Sequence, residues 1–471
     1  MKDLWKFIKT SGVYFVGTVL TKLITFLLLP LYTAYIAPAG MGTYDAAIAY
    51  ITFLCSMIYL DIWSAIMRFV YEYQGEERKK PINSGLAIFL LSTILYTVIV
   101  AGVNVVFDVP YMLFIYLYGL LLNTQTLCGY LARTQGKNIL YASAGLVGSF
   151  VHIAANIVLI VSFKMDYSAL FISSCIGYGV NIIIVATGIK LPKLISFKAF
   201  DLKLFKKMFW FSIPLCANSV AYWFLSSYNR VAITNILGSE ANGMYAIAGR
   251  FGSFITLFTS CFTMAWQEMS YSKEAVGLEN QDKFYTKAIN AYVKFLCMGL
   301  SMIVPVIYVI YPLMTADTYA AGKEMIPMYL LATIASSVSG FLGNIFTAIK
   351  KNNLLFYTTV AGSVVNVVTV HLLLPVIGAQ GASIALFLGF GINCVVRVHM
   401  LQKEIKFVMD IKFMLLYVFL FAGIWGVYVF GNVLLNIFAL LVSMAITFVI
   451  FRETIQKVAG NVIEKIKVYR G

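Results

Sequence analysis

The fold is decided by residues 413–451, FMLLYVFLFAGIWGVYVFGNVLLNIFALLVSMAITFVIF, which contain no charged side chain. About 20 apolar residues in a helix cross the ~30 Å hydrocarbon core of a bilayer. The stretch is therefore long enough for two helices joined at Gly431 and Asn432. Its hydrophobic residues do not alternate with polar ones, which excludes the strands of an outer-membrane barrel. We predict a pair of membrane-spanning helices here.

The same composition extends along the whole chain of 471 residues. Hydrophobic residues make up 61% and charged residues 12%, whereas soluble domains contain about 45–50% apolar and about 25% charged residues. This balance excludes a water-soluble enzyme, a disordered chain and a collagen-like chain. We predict an all-α polytopic membrane protein with fourteen spans, at 11–36, 43–70, 82–107, 110–132, 139–163, 167–189, 208–236, 243–271, 285–311, 325–349, 353–376, 380–402, 413–430 and 433–451.

The net charge of +15 is a signal of topology. Of the 35 Lys and Arg residues, 27 lie in segments that the alternation of spans places on one side of the membrane, two (Lys164 and Lys323) lie on the other side, and six lie within spans. Because cytoplasmic loops are enriched in Lys and Arg, we predict that both termini are cytoplasmic. The basic excess marks one face of the membrane and does not predict a nucleic-acid partner.

Short sequences in the first half of the chain recur in the second half. The offsets are 201 and 214 residues, and each match pairs span n with span n+6. The matching segments are Gly42-Thr43-Tyr44 with Gly243-Met244-Tyr245, and Gly148-Ser149-Phe150-Val151-His152 with Gly362-Ser363-Val364-Val365-Asn366. Because six is even, the two halves share one orientation, which predicts two pseudo-symmetric six-helix lobes around a central cavity.

The domain organisation follows from this repeat and from the charge pattern. We predict an N-lobe at 1–190, a basic cytoplasmic linker at 191–207, a C-lobe at 208–402, two further helices at 403–452 and an amphipathic cytoplasmic tail at 453–471. The linker either lies on the inner leaflet or is a solvated connector. The tail either lies on the membrane or packs on the inner loops.

Charged residues inside the spans are the candidate functional residues. Each costs about 2.5–3.5 kcal/mol at the centre of a bilayer, so it normally faces a partner or a wet cavity. Four of the six cations and all three acids lie in spans 1, 2, 7 and 8, the first two helices of each lobe. They are Lys22, Arg68, Arg230 and Arg250, and Asp45, Asp61 and Glu268. This clustering predicts a cavity between the lobes.

The arginines in the second half carry the binding hypothesis. Arg230 and Arg250 have no acid within reach on their own helices, and together with Lys22 they suit a diphosphate, which Arg grips through two hydrogen bonds. Arg68 either joins them or extends to the inner interface, and the second alternative is favoured for Arg397. The three acids are candidates for an ion pair or for a coupling ion.

Aromatic and histidine side chains add weaker predictions. Tyr44 and Tyr245 belong either to the interfacial belts or to a surface that stacks on sugar rings. His152 and His371 favour hydrogen-bonded packing over a proton relay. All seven cysteines fall in apolar runs without a metal-binding spacing, so we expect no metal, no cofactor and no catalytic residue.

These features lead to a resemblance, which covers most of residues 5–400. It is carried by Leu29-Pro30-Leu31-Tyr32, Ala39-Gly40-Met41-Gly42-Thr43-Tyr44, Met67-Arg68-Phe69, Ser212-Ile213-Pro214-Leu215, Asn229-Arg230-Val231, Leu237-Gly238, Gly243-Met244-Tyr245 and Ala265-Trp266-Gln267-Glu268. The chain resembles the polysaccharide-transport branch of the multidrug/oligosaccharidyl-lipid/polysaccharide exporter superfamily, the Wzx-type flippases of lipid-linked repeat units.

The resemblance implies two lobes around a cationic cavity that opens alternately to either side, with Arg68, Arg230 and Arg250 among the cavity cations. The family often has an acid directly before the arginine of the seventh helix, whereas this chain has Asn229, which puts an ion pair there in doubt. The implied location is the bacterial plasma membrane. The implied state is a monomer that works with glycan-assembly enzymes.

Three functions remain open at this stage. The first is a flippase that moves undecaprenyl-diphosphate-linked oligosaccharide from the inner to the outer leaflet. The second is a drug or cation antiporter of the same superfamily, which should need embedded acids that outnumber the cations. The third is a membrane-embedded glycan polymerase or acyltransferase, which would favour long outer loops or a histidine beside an acid, and the sequence has neither.

Overall fold

The computed structural model describes residues 26–276, 281–349 and 351–470, although not every side chain in the helices at 239–276 and 433–470. Within these ranges the chain forms α-helices joined by turns and short irregular segments, and it forms no strand. The helices are α1 Leu29–Tyr35, α2 Pro38–Ile58, α3 Ile62–Val70, α4 Lys79–Phe107, α5 Met112–Thr134, α6 Asn138–Ile157, α7 Ser168–Gly188, α8 Leu202–Ser226, α9 Tyr228–Leu237, α10 Ser239–Val276, α11 Gln281–Met314, α12 Ile326–Ala348, α13 Asn352–Ile377, α14 Gln380–Glu404, α15 Ile411–Phe430 and α16 Val433–Arg470.

The predicted all-α membrane fold is confirmed. Each predicted span from 43–70 onward coincides with one helix or with two consecutive helices, and most of the first span lies outside the described residues. Among the described helical segments, twelve are long and apolar enough to cross a membrane. Their outward faces are apolar: Phe419 is 76% exposed and Val449 is 72% exposed. Such continuous apolar surface is stable against lipid and not against water.

Two predicted spans are each broken into two helices. The span at 43–70 is interrupted between α2 and α3 by Leu60 and Asp61, whose φ angles are 55° and 51°. Left-handed backbone is unfavourable for residues with a Cβ, so surrounding contacts must hold it. The hydroxyl of Ser92 in α4 donates a 2.7 Å hydrogen bond to the carbonyl of Ile58 at the end of α2. The break is therefore stabilised from a neighbouring helix.

The second broken span, at 208–236, consists of α8 and α9, which meet at Ser227. Helix α8 already begins at Leu202, where the Asp201 carboxylate caps it by accepting from the backbone N–H groups of Lys203 and Leu204. Upstream, the side chain of Asn83 in α4 donates to the carbonyl of Leu194 at 2.9 Å. The segment before α8 is thus packed on α4.

The helices of predicted spans 2–6, α2–α7, form the first helix group. Those of spans 7–12, α8–α14, form the second helix group. One close helix crossing occurs once in each group. A Cβ added to Gly148 of α6 would lie 2.8 Å from the carbonyl oxygen of Gly177 in α7. A Cβ on Gly362 of α13 would lie 2.7 Å from the carbonyl oxygen of Gly389 in α14. The repeat read from the sequence therefore corresponds to a repeated packing arrangement.

The two helix groups touch backbone to backbone where α2 and α10 begin. A Cβ on Gly42 would overlap the carbonyl oxygen of Ser239, and a Cβ on Gly243 would overlap that of Pro38. The side-chain amide of Asn242 donates a 2.8 Å hydrogen bond to the carbonyl of Gly42. We call this end of the bundle the Gly42 end. Since no side chain separates the helices there, the bundle is closed at that point.

The last two transmembrane helices pack on α11, outside the repeated helices. Lys294 of α11 forms a 2.5 Å ion pair with Asp410, which precedes α15. Towards the other end of α11, the hydroxyl of Tyr308 donates to the carbonyl of Gly431 between α15 and α16 at 3.0 Å. Helix α11 is therefore attached to these two helices at two levels, near its middle and towards its C-terminal end.

Candidate functional site

An ion pair joins the two helix groups near the Gly42 end. The Arg230 Nε atom lies 3.2 Å from Asp45 Oδ2, and the two side chains are 28% and 14% exposed. Arg230 lies in the first turn of α9 and Asp45 in the second turn of α2. Arg230 has no acid within reach on its own helix, and its partner in space is Asp45, one of the three acids named as candidates for an ion pair. The acid comes from the other helix group and not from position 229.

Further hydrogen bonds hold α2 against α8 and α9. The indole Nε1 of Trp223 donates to the carbonyl of Ala49 at 2.9 Å, and Tyr50 and Asn235 are joined through the hydroxyl and the side-chain amide at 3.2–3.3 Å. Trp223 is 7% exposed. The face of α2 that carries Asp45 is therefore fixed to the second helix group along several turns.

Asn229, directly before Arg230, is buried and faces the second helix group. Its amide donates to the carbonyl of Ala382 in α14 at 2.8 Å, and its oxygen accepts from the amide of Asn366 in α13 at 2.9 Å. This asparagine is 2% exposed. It fixes the first turn of α9 and so sets the position from which Arg230 reaches Asp45.

Arg250 of α10 is half-buried and, among the described residues, has no acidic group within ion-pair distance. Its guanidinium carbon lies 6.0 Å from the centroid of the Tyr32 ring, a cation–π contact. The Tyr32 hydroxyl in turn accepts a 3.0 Å hydrogen bond from the side-chain amide of Asn156 in α6. A cation inside a membrane bundle without a counter-charge is costly. The position therefore favours an anionic ligand.

The other predicted basic and acidic residues lie elsewhere. Arg68 is exposed at the end of α3 and pairs with Glu72 at 3.8 Å. From Asp45 to Arg68 the helices rise roughly 35 Å at 1.5 Å per residue, so the structure does not bring Arg68 to the Arg230 site. Asp61 lies at the break before α3 and accepts a 2.9 Å hydrogen bond from the Ser64 hydroxyl. Lys22 and the Glu268 side chain lie outside the described residues.

The tyrosines that the repeat singled out are both buried. Tyr44 is 7% exposed and meets Phe171 edge to face at a centroid distance of 4.7 Å. Tyr245 is 2% exposed and meets Tyr329 in the same manner at 5.2 Å. Neither lies in an interfacial belt on the outside of the bundle. Stacking on a sugar stays a prediction for both.

Sequence reasoning missed the buried arginine of the second helix group. Arg397 was expected to extend to the interface, but it is 7% exposed. Its Nε donates to the Thr358 hydroxyl at 3.1 Å, and its Nη1 donates to the carbonyl of Ser339. The expectation was wrong because uncharged groups on α12 and α13 satisfy the guanidinium, and hydroxyls on distant helices gave no charge signal in the sequence.

Metal binding has no support within the ranges that the structure describes. There, no three His, Cys, Asp or Glu side chains come close enough to hold an ion. The six cysteines described are free thiols.

Comparisons with known proteins agree with this fold. The sequence model of a family described as "Polysaccharide biosynthesis protein" matches residues 7–267, more than half of the chain. No curated protein matches the chain. Among solved structures, the Lipid II flippase MurJ in an inward closed conformation has a TM-score of 0.73 at 15% identity, over 95% of this chain and 100% of that one.

Two further solved structures share the fold at lower similarity. A multidrug resistance MATE family transporter of the MOP superfamily, in its inward-facing conformation, has a TM-score of 0.62 at 14% identity, over 81% of this chain and 96% of that one. A MOP superfamily transporter from Pyrococcus furiosus has a TM-score of 0.55 at 13% identity, over 83% and 93%. At these identities the likeness establishes the fold alone.

Proposed function

Because the chain belongs to the polysaccharide biosynthesis protein family, we propose that it is a flippase for lipid-linked glycans. It would move undecaprenyl-diphosphate-linked oligosaccharide repeat units from the inner to the outer leaflet of the bacterial plasma membrane. The observation that carries this proposal is Arg250, a cation inside the helix bundle with no acidic partner among the described residues. Access would alternate between the two sides of the membrane.

A diphosphate suits Arg250 better than a neutral or cationic cargo does. Phosphate oxygens accept paired hydrogen bonds from guanidinium and supply the missing counter-charge. The lipid chain can stay in the bilayer while the diphosphate and the glycan enter the protein. The shared fold with a protein named as a Lipid II flippase supports a lipid cargo.

The Asp45–Arg230 pair would regulate access to the binding region. While Arg230 is paired with Asp45, its charge is neutralised and the two helix groups are held together. A diphosphate that competes for the guanidinium would release Asp45 and weaken that link. Lys22 and Arg68 are proposed to contact cargo at other stages of transport. Asp61 and Glu268 remain candidates for the coupling ion.

The organisation of the chain completes the proposal. The N-lobe would comprise 1–190 and the C-lobe 208–402, with the basic segment 191–207 and both termini in the cytoplasm. The Gly42 end would then face outward, and the bundle is closed there. The protein would act as a monomer among membrane lipids, next to enzymes that assemble the glycan.

A drug or cation antiporter fits the site less well. Such a transporter needs acids that are available for a cation or a proton. Among the described residues of the region, Asp45 is neutralised by Arg230, and Arg250 adds a positive charge. A membrane-embedded polymerase or acyltransferase gains no support from a fold shared with a flippase and with multidrug transporters.

The test is export of the glycan by Arg250→Ala in a bacterium that lacks its own copy of the gene. A lost charged hydrogen bond is worth about 1.5–3 kcal/mol, which corresponds to about a 10- to 100-fold loss of cargo affinity. We expect the amount of surface glycan to fall by at least about tenfold and the lipid-linked precursor to accumulate inside the cell. Arg250→Lys should retain part of the export, because it keeps the charge.

The matched control is Arg133→Ala, which removes an arginine at the end of α5 whose guanidinium lies over Tyr130 instead of between the helix groups. All variants are compared at equal protein level in the membrane. Wild-type export by a stably inserted Arg250→Ala protein would refute the proposed function.

A further inference from the structure

We propose that a cavity within the first helix group binds the sugar ring that is bonded directly to the diphosphate of the cargo. This inference rests on the proposed function. The cavity measures about 220 Å³ and lies between α2, α5, α6 and α7. It is thus inside one helix group, separate from the contact between the two groups that Asp45 and Arg230 form.

The lining of the cavity suits a neutral polyhydroxylated ring. Tyr44, Tyr118 and Tyr178 supply aromatic rings, and Gln125 and His152 supply hydrogen-bonding groups. None of the described residues that line it is Asp, Glu, Lys or Arg. A hard cation would need carboxylate or carbonyl oxygens, and a hydrocarbon chain would need no polar lining. The C–H face of a sugar packs on an aromatic ring while its hydroxyls hydrogen-bond to amide and imidazole groups.

The imidazole of His152 is only weakly satisfied within the protein. Its buried Nδ1 atom has no hydrogen bond of good geometry among the described residues, the ring interacts with the backbone of Ser173, and the Nε2 atom is 3.5 Å from the amide nitrogen of Asn156. A buried polar group without a hydrogen bond is costly and rare. A sugar hydroxyl in the cavity would satisfy this nitrogen.

The size of the cavity limits the ligand to one ring. Sites for drug-sized ligands usually measure about 300–1,000 Å³, whereas one water molecule takes about 30 Å³. A space of about 220 Å³ is too large for a single ion or water and too small for an oligosaccharide. The remaining sugars of a repeat unit would lie outside this cavity.

The position of Arg250 indicates which sugar would enter. The Arg250 guanidinium lies 6.0 Å from the ring of Tyr32, whose hydroxyl accepts a 3.0 Å hydrogen bond from the amide of Asn156. That amide is 3.5 Å from His152, which lines the cavity. In a lipid-linked glycan the first sugar is bonded to the diphosphate. A diphosphate held by Arg250 would therefore carry that first sugar to the cavity.

The corresponding place in the second helix group is filled with hydrocarbon. There, a methyl carbon of Leu225 lies 3.2 Å from a Cβ built on Gly362 and 3.0 Å from one built on Gly389. In the first helix group, Gly148 and Gly177 make the same crossing, and both line the cavity. The close crossing at two glycines therefore does not by itself create a cavity. In the second helix group the side chain of Leu225 lies against the crossing, whereas in the first helix group the cavity lies there.

The experiment fills the cavity with a side chain. Gly145 lines the cavity, and a Cβ there would meet nothing nearer than the amide nitrogen of Asn181 at 4.0 Å, so Gly145→Leu can enter the space without displacing backbone. The matched control is Gly179→Leu on α7. A Cβ at Gly179 has no atom within 4 Å, and Gly179 is not among the residues that line the cavity.

The first readout is nuclear magnetic resonance saturation transfer from the full-length protein in nanodiscs to free hexoses, 6-deoxyhexoses and N-acetylhexosamines. We expect transfer to at least one of these sugars with wild type and with Gly179→Leu, and at least a tenfold weaker signal with Gly145→Leu. Equal signals from the two variants would overturn the proposal. So would the absence of any signal from wild type, because the protein itself or a lipid would then fill the space.

The second readout separates this inference from the proposed function. Undecaprenyl diphosphate without a sugar should bind wild type and Gly145→Leu equally and should bind Arg250→Ala at least tenfold more weakly. If it does not bind wild type, the proposed function fails, whatever the sugars do. If it binds as expected but sugar binding is unaffected by Gly145→Leu, the cavity assignment alone fails.

Discussion

Asp45 and Arg230 are 185 residues apart in the chain, and their side chains meet at 3.2 Å in an ion pair between the two helix groups. Both are less than one-third exposed, so water screens the pair less than it would a surface pair. If either residue is removed, the other is left as an uncompensated charge. That unpaired charge is the more costly part of breaking such a pair.

The first prediction concerns the coupling between these two residues. Asp45→Ala and Arg230→Ala should each lower the free energy of unfolding by about 1–3 kcal/mol, between the cost of breaking an exposed ion pair and that of breaking a fully buried one. The double variant should lose clearly less than the sum, because no charge is left unpaired. Thermal unfolding of wild type, the two single variants and the double variant in detergent gives the double-mutant cycle. Strictly additive losses would mean that the pair does not form.

The second prediction concerns the contact between α2 and α10. Gly42→Ala should destabilise the protein by about 1–3 kcal/mol, the usual cost of overpacking, because the new methyl group overlaps the carbonyl of Ser239. The control is Gly340→Ala in α12, where a Cβ has no atom within 4 Å and alanine should be neutral or mildly stabilising. Unfolding temperatures give the comparison. Equal effects of the two substitutions would contradict the close crossing.

The third prediction tests the buried arginine. Arg397→Met keeps an apolar stem but leaves the Thr358 hydroxyl and the Ser339 carbonyl without the guanidinium, so unfolding should become easier by about 1–3 kcal/mol. Arg133→Met, at the end of α5, serves as control and should change stability by less than about 0.5 kcal/mol. If both variants unfold alike, Arg397 extends to the interface after all.

The fourth prediction concerns pH at the segment between α6 and α7. Burial would raise the pKa of Asp166, but hydrogen bonds from the side chain and backbone N–H of Ser168 and from the Tyr111 hydroxyl hold that pKa below its ordinary value. The folded state thus favours the carboxylate. Its stabilising contribution is complete above the ordinary aspartate pKa of about 3.9 and is lost as the pH falls through the lower pKa of the folded state.

Asp166→Asn should therefore lower the unfolding temperature at pH 7, and the difference from wild type should shrink at pH 3. Asp108→Asn, in the neighbouring turn after α4, is the control. The pH dependence is taken from the difference between the two substitutions. A difference for Asp166→Asn that is the same at both pH values would exclude ionisation as the cause.

Hydrophobic runs predicted where the helices lie, because twenty apolar residues suffice to place a span. They did not predict the breaks at Leu60 and at Ser227, since polar residues inside a span, here Asp61 and those at 226–230, do not by themselves end a helix. The compensating donors, such as Ser92, lie on other helices. The repeat at Gly148 and Gly362 was visible because glycine is required wherever two backbones touch.

Within the candidate site, the sequence predicted the charged residues but not their partners. Nothing within reach of Arg230 along its own helix indicates Asp45, because the contact depends on how α2 packs against α9. The cavity within the first helix group is likewise formed by four helices, and no single stretch of sequence contains its lining.

The left-handed residues Leu60 and Asp61 divide the second span into two helices that each contact the second helix group. Helix α2 is attached to that group through Gly42, Ala49 and Asp45, and α3 contacts it again at α8 while also packing on α4 and α5. The second span therefore connects the two helix groups on both sides of a left-handed break. A change in the angle between α2 and α3 at Leu60 and Asp61 would move these two attachments relative to each other.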